Sequence, residues 1–264
     1  MKKAVHRIFS TYSLTMFGLG FLLLLPFYLL IILIKPLRWY LLVPLNRLWA
    51  YFFLTLSGVS WKVRYEQKPD SKQQYIICAN HFSILDIVTM SFLPLHFIFV
   101  GKSELGKIPL FGFMFRKLHI TVNRSSLKDS YRALQKSLAA IDEGNSLVMF
   151  PEGGVLTTNP PQMSRFKDGP FRVAIEKQIP VLPVTLPYNW LILPDDDSYL
   201  LYPRRAEVVI HKPIATQGLS MEDLPQLREQ VREVIANEIA KHKAVYENRP
   251  DYFRENNPSG ATEI

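Results

Sequence analysis

The chain opens with its longest apolar stretch. Residues 11–34 carry no charge, and roughly 20 apolar residues suffice to cross a bilayer. Pro26 stands near the centre, where proline perturbs a helix. A second apolar segment, residues 39–56, is interrupted by Pro44, Asn46 and Arg47 and is separated from the first only by Lys35-Pro36-Leu37-Arg38. Two such segments joined by a basic turn predict a helical hairpin that either lies in one leaflet or crosses twice. Lys35 and Arg38 would be unfavourable at an outer tip, so the embedded hairpin is the expected form. A cleaved signal peptide fits less well, because the run is long and no A-x-A site follows.

Beyond residue 60 the pattern changes to short runs. Trp61, Val63 and Tyr65 alternate with Lys62, Arg64 and Glu66, the pattern of a half-exposed strand. Continuous apolar runs at 75–79 (YIICA), 96–100 (HFIFV), 146–150 and 181–186 read as buried strands, and 206–211 as one more. Between them, residues 83–92, 126–143, 171–177 and 221–246 carry helical spacing. Ser126-Leu127-Lys128-Asp129 supplies a capping box. It opens a helix with Leu127, Leu134, Leu138 and Ile141 on one side, ended by Gly144. Alternating strands and helices predict an α/β fold: a mostly parallel central sheet flanked by helices, behind an N-terminal apolar two-helix membrane hairpin. The expected division is 1–60 as membrane-anchoring hairpin, 61–248 as the catalytic domain and 249–264 as a loosely ordered tail. A length of 264 residues suits one core of this kind.

Charge sharpens the membrane expectation. Residues 1–68 hold nine Lys/Arg and one acid, Glu66, which accounts for the whole net charge of +8. Basic residues beside apolar ones point to an anionic membrane surface and away from nucleic acid. Localisation at the cytoplasmic face of the cell membrane is expected. The single cysteine, Cys78, excludes an internal disulfide and a cysteine-based zinc site. It lies inside an apolar strand, so a buried structural thiol is expected. No G-x-S-x-G, P-loop, G-x-G-x-x-G or H-E-x-x-H occurs. His119 and His211 read as structural, and no metal site is expected.

The candidate chemistry follows the YIICA run. It ends at Asn80-His81, with Asp86 five residues after the histidine. On one helix five residues turn through roughly 500°, which would leave the two side chains far apart. His81 is therefore placed in the turn after a strand and Asp86 in the first turn of the next helix. Ligands of open α/β sheets gather at that edge. A histidine oriented by a carboxylate is suited to pulling a proton from an alcohol. Ser83-x-x-Asp86 also fits a capping box, which would explain the aspartate by itself.

Three further blocks follow in order. The second runs from Lys102-Ser103-Glu104-Leu105 through Pro109 and Gly112 to Asn123-Arg124. The third is Phe150-Pro151-Glu152-Gly153-Gly154. The fourth is Phe166-Lys167-Asp168-Gly169, Ala174, and then Ile179-Pro180-Val181-Leu182-Pro183-Val184. Together the four blocks resemble the glycerolipid acyltransferase family typified by 1-acylglycerol-3-phosphate acyltransferase. The resemblance implies direct acyl transfer from a thioester, acyl-CoA or acyl-carrier protein, with no other cofactor. It implies His81 and Asp86 as the catalytic pair. Asn80, Lys102, Arg124, Glu152, Gly153 and Gly154 fall in the substrate site, with phosphatidic acid as the expected product. The region 101–132 is net +5 with interleaved Phe111, Phe113, Met114 and Phe115, which suits an acyl chain with a charged head. Backbone amides near Gly153-Gly154 or Pro183-Val184 are candidates for an oxyanion hole.

One departure stands out. The family's third block usually continues Gly-Thr-Arg-Ser, whereas here Gly153-Gly154-Val155-Leu156 carries no arginine. That keeps open another lysolipid acceptor, such as a lyso-aminolipid, alongside lysophosphatidic acid. A membrane-bound thioesterase and a catalytically dead lipid-binding protein are the alternatives of different class.

Overall fold

The structure is a computed structural model, and it describes residues 2–123, 126–157, 159–196 and 198–247. The tail expected at 249–264 lies outside the described residues. Two long helices come first, α1 (Lys2–Leu33) and α2 (Lys35–Leu56), and each runs through its proline, Pro26 and Pro44 respectively. They pack against each other in antiparallel fashion. Tyr28 Oη donates to Asn46 Oδ1 at 2.8 Å, and Trp49 Nε1 donates to the Phe17 carbonyl at 2.9 Å. Such pairing satisfies polar groups that would otherwise be costly in an apolar setting.

A seven-stranded sheet follows: β1 (Ser60–Tyr65), β2 (Ile76–Ala79), β3 (Phe97–Lys102), β4 (Ile120–Val122), β5 (Ser146–Met149), β6 (Val181–Thr185) and β7 (Arg205–Ile210). Its order is β1-β7-β6-β2-β5-β3-β4. β2 to β6 run parallel, β7 is antiparallel to β6, and β1 is parallel to β7. The reversal at β7 has a simple cause. After β6 the chain makes only α7 (Asn189–Ile192), too short to carry it back across the sheet, so the next strand returns antiparallel. The remaining helices are α3 (Leu85–Thr89), α4 (Phe111–Leu118), α5 (Leu127–Asp142), α6 (Gly169–Lys177), α8 (Leu224–Ala240) and α9 (Lys243–Glu247).

Two readings of the sequence are corrected here. The helix expected over 83–92 begins only at Leu85 and tightens into a 3₁₀ turn at Met90–Phe92. Leu127, assigned to the apolar side of α5, is 91% exposed. It occupies the first helical position, where Ser126 Oγ already caps by accepting from Asp129 N, so nothing draws Leu127 inward.

α4 is held by a close approach within the second block. A Cβ at Gly112 would come within 2.3 Å of the Gly106 carbonyl oxygen, which requires glycine there. Tyr28, Ile31, Leu42 and Leu45 of the helical pair share one core with Ile76, Cys78, Ile98, Leu147 and Phe171. The hairpin is thus packed along the sheet layer. Its apex reaches the amino-terminal edge of the parallel strands, where Trp39 packs on His96 with ring centroids 4.2 Å apart.

Candidate active site

Five parallel strands point their carboxyl ends to one edge, and the first, third and fourth blocks meet there. β2 ends at Ala79, and Asn80 is fully buried. Its side chain closes a reciprocal pair with Leu186, donating to the carbonyl at 3.0 Å and accepting from the amide at 2.8 Å. Leu186 follows β6, so Asn80 clips together the exits of two adjacent strands. Asn80 is therefore a frame residue of the site.

His81 lies in the turn, as its spacing required, and Asp86 lies in α3. Asp86 is fully buried. Its Oδ2 accepts from His81 Nδ1 at 2.9 Å, from Phe82 N at 2.8 Å and from Ser83 N at 3.0 Å. Its Oδ1 accepts from Asn189 Nδ2 at 2.9 Å. Four donors on one buried carboxylate fix its direction. Oδ2 already accepts from two backbone amides, which assigns His81 Nδ1 as a third donor to it and leaves Nε2 with its lone pair. The imidazole also stacks on Phe150, with centroids 4.0 Å apart and planes at 17°. The capping reading is half right. Asp86 reaches back to Ser83 N, but Ser83 Oγ accepts from Leu85 N and donates to the Leu193 carbonyl.

Glu152 arrives from β5. It too is fully buried, and its two oxygens accept from His81 N and Ser164 N, each at 2.7 Å. Burial pushes its carboxyl up to about 7, while those two amides favour the ionised form. Glu152 thereby ties the turn bearing His81 to the loop entering the fourth block. Gly153 follows at φ +92°, and a Cβ there would meet Lys167 Nζ and Cε at 2.7 Å. Lys167 therefore lies across the Gly153 turn, held from its backbone amide to the Pro151 carbonyl at 2.8 Å. Gly154 is half-buried beside it. Lys102 ends β3 at the same edge and is exposed. Arg124 lies outside the described residues.

Two residues were missed in the sequence. Asn189 sits 103 positions from Asp86 inside an apolar run and is fully buried. It donates to both Asp86 and Thr89 Oγ1, the latter at 2.8 Å. Nothing local in the sequence marks that pairing. Lys167 stood in the fourth block without a role, and its place over Gly153 gives it one.

Of the amides considered for an oxyanion hole, Gly153 N donates to the Phe150 carbonyl at 3.0 Å, and Val184 lies within β6. Among the described residues, Gly154 N is the remaining candidate. Cys78 is wholly buried and its thiol is pushed far up by desolvation, so it is no nucleophile.

Away from this edge, Glu66, His211 and Glu238 place one ligand atom each within 4.8 Å of one another. The spacing expected from the sequence did not foresee this. Glu238 is already bonded to Arg64, to Lys241 at 2.8 Å and to His242 at 3.1 Å. Three cationic or protonatable partners offset its charge and disfavour a dication there.

Residues 60–187 match the family described as Acyltransferase. A 1-acyl-sn-glycerol-3-phosphate acyltransferase of Chlamydomonas reinhardtii is 27% identical over 241 residues, covering 86% of this chain and 69% of that protein. One of the same description from Saccharomyces cerevisiae is 29% identical, covering 64% of this chain and 56% of the relative. A chloroplastic one from Arabidopsis thaliana is 27% identical over 64% of this chain, which spans only 47% of that relative. The crystal structure of the 1-acyl-sn-glycerophosphate acyltransferase PlsC from Thermotoga maritima superposes with a TM-score of 0.76. It covers 92% of this chain and 98% of that one at 24% identity, a likeness of fold.

Proposed function

We propose that this chain is an acyltransferase of the family that its residues 60–187 match, and that it transfers a fatty acyl group from an acyl thioester to the free hydroxyl of a lysophospholipid. The acceptor is 1-acylglycerol 3-phosphate and the product phosphatidic acid. The observation that carries this reading is the His81 ring, aimed by a buried aspartate and a stacked phenylalanine so that Nε2 is left as base.

The acceptor hydroxyl attacks the thioester carbonyl and gives its proton to His81 Nε2. Asp86 stabilises the imidazolium without taking the proton. Gly154 N donates to the developing oxyanion in this reading. Collapse of the tetrahedral intermediate expels the thiolate, which recovers the proton from His81. Ester and free thiol result, and no acyl-enzyme is required. Lys102 and Lys167 supply the cations for the acceptor phosphate, Lys as a point charge. Lys167 over Gly153 fills the role left by the absent third-block arginine. The donor is acyl-CoA or acyl-carrier protein, both anionic. Another lysolipid acceptor is the second reading, favoured by that missing arginine.

The exposed flank of α1 supports membrane association. Leu19, Leu22, Leu23, Phe27, Leu30 and Leu33 are each 40–80% exposed along it, more apolar surface than a soluble monomer normally leaves open. The contact of the apex with the domain at His96 supports a hairpin embedded in one leaflet, at the cytoplasmic face, over two full crossings.

The test is acyl transfer by the purified full chain against a panel of lysolipids, with both donor types and with no acceptor. Transfer to 1-acylglycerol 3-phosphate above the other acceptors supports the reading. Equal thiol release without acceptor would identify a thioesterase, and preference for another lysolipid would reassign the acceptor.

A further inference from the structure

At the opposite edge of the sheet from His81 lies a second cleft, of about 540 Å³. It is bounded by the hairpin apex and by the segments entering β3 and β5. Ile31 and Ile32 of α1 form its apolar wall, and Lys35, Arg38 and Lys117 bring three positive charges against one carboxylate, Glu143. Trp39 lies over one face of the His96 ring, whose Nε2 donates to Asn145 Oδ1 at 3.2 Å.

Arg38 is the central group. One guanidinium nitrogen donates to the Leu118 carbonyl, which fixes the plane of the fork. Its Nε is buried and has no hydrogen-bond partner among the described residues. A buried guanidinium donor left unpaired is costly, and an anion in the cleft would satisfy it. The neighbouring surface is greasy: Leu33 is 80% and Tyr40 75% exposed. An anionic group recognised here would therefore come attached to apolar chains. We infer that this cleft binds the phosphate monoester of an anionic membrane lipid, at a site separate from the acceptor site.

The inference rests on the reading that the outer face of α1 enters the bilayer. A phosphate held at the apex would set the depth and tilt of the hairpin and so the height of the catalytic edge above the membrane. Its partners would be Arg38, with a fork suited to phosphate, and Lys35 and Lys117 as point charges. A monoester would be favoured over a diester, because it carries more charge and more acceptor oxygens.

The experiment uses the full chain and two double variants, Arg38→Gln/Lys117→Gln and Lys35→Gln/Lys117→Gln. The second leaves the Arg38–Leu118 bond intact should the first fail to fold. Flotation is measured on three vesicle types: phosphatidylcholine alone, phosphatidylcholine with phosphatidic acid, and phosphatidylcholine with phosphatidylglycerol matched in surface charge. The wild type should partition more strongly onto phosphatidic acid vesicles than onto the matched phosphatidylglycerol. Either variant should lose roughly tenfold on phosphatidic acid vesicles and little on phosphatidylcholine. The acceptor site is the same in all three proteins, so the difference belongs to the apex. Equal losses on both anionic vesicles would mean diffuse electrostatics and overturn the site. So would abolition of the phosphatidic acid preference by millimolar inorganic phosphate, which would assign the cleft to free phosphate. If no protein floats even on phosphatidylcholine, the membrane reading itself has failed.

Discussion

At the scale of single residues, the site is an arrangement of buried carboxylates with their donors supplied. Asn189 contributes without touching substrate, by holding Asp86 Oδ1, and is a positioning residue. Asn189→Ala removes one bond to a buried charge, worth roughly 1.5–3 kcal/mol. It should lower kcat by about tenfold or more while leaving both KM values near wild type. A purely structural role would show as lost thermal stability with unchanged kcat in the folded fraction. Lys167→Ala tests the acceptor assignment. Loss of one charge-assisted contact should lower kcat/KM for the lysophospholipid by roughly tenfold to a hundredfold, with the donor KM unchanged. A rise in donor KM alone would move Lys167 to the thioester carrier's site.

At the scale of elements, the strands most readable from sequence are those with continuous apolar runs. β2, β3, β5, β6 and β7 each lie within a residue or two of where the pattern put them. β4 and α7, of three and four residues, escaped because no period can be established over so short a span. α4 was seen only as a greasy, basic segment. Its first residues owe their conformation to Gly112 packing on Gly106, a contact that pattern does not encode. The long helix expected over 221–246 is broken after Ala240, and α9 resumes at Lys243. α8 carries its own prediction. Glu238, with its side chain 1% exposed, anchors the helix to β1 through Arg64. Burial pushes its carboxyl up, but Lys241, His242 and Arg64 more than offset that and lower it to about 2. A carboxyl with a depressed folded pKa contributes stability above its unfolded value of about 4.3, and that contribution is lost as pH falls toward 2. Glu238→Gln should thus lower the melting temperature at pH 7 and flatten the acid limb below pH 4.5. Unchanged melting at pH 7 would show that the network adds nothing.

At the scale of the whole molecule, the hairpin and the sheet share a core, which the sequence did not reveal. Apolar runs announce a membrane anchor, and an anchor of that kind would be separable. The faces of α1 and α2 that pack inward carry the same residue types as the faces that do not, so composition alone cannot distinguish them. Tyr28, Ile31, Leu42, Leu45, Phe53 and Leu54 are all buried. At roughly 1.5–3 kcal/mol for each large side chain, their loss approaches or exceeds the entire stability of a typical domain. Deleting residues 2–56 should therefore give an aggregating chain without a cooperative unfolding transition, although all seven strands remain. A soluble, cooperatively folded product would show instead that the catalytic layer stands alone.

The central claim is that His81 Nε2 takes the acceptor's proton while Asp86 holds the ring. Its most direct test is the single-turnover rate of acyl transfer from a labelled thioester to 1-acylglycerol 3-phosphate, for wild type and His81→Ala. Both proteins are first matched in thermal melting. His81→Ala should fall by at least ~10²-fold, the low end for loss of a general base, with labelled phosphatidic acid appearing only when acceptor is present. Transfer at a near wild-type rate by a folded His81→Ala protein would contradict the mechanism.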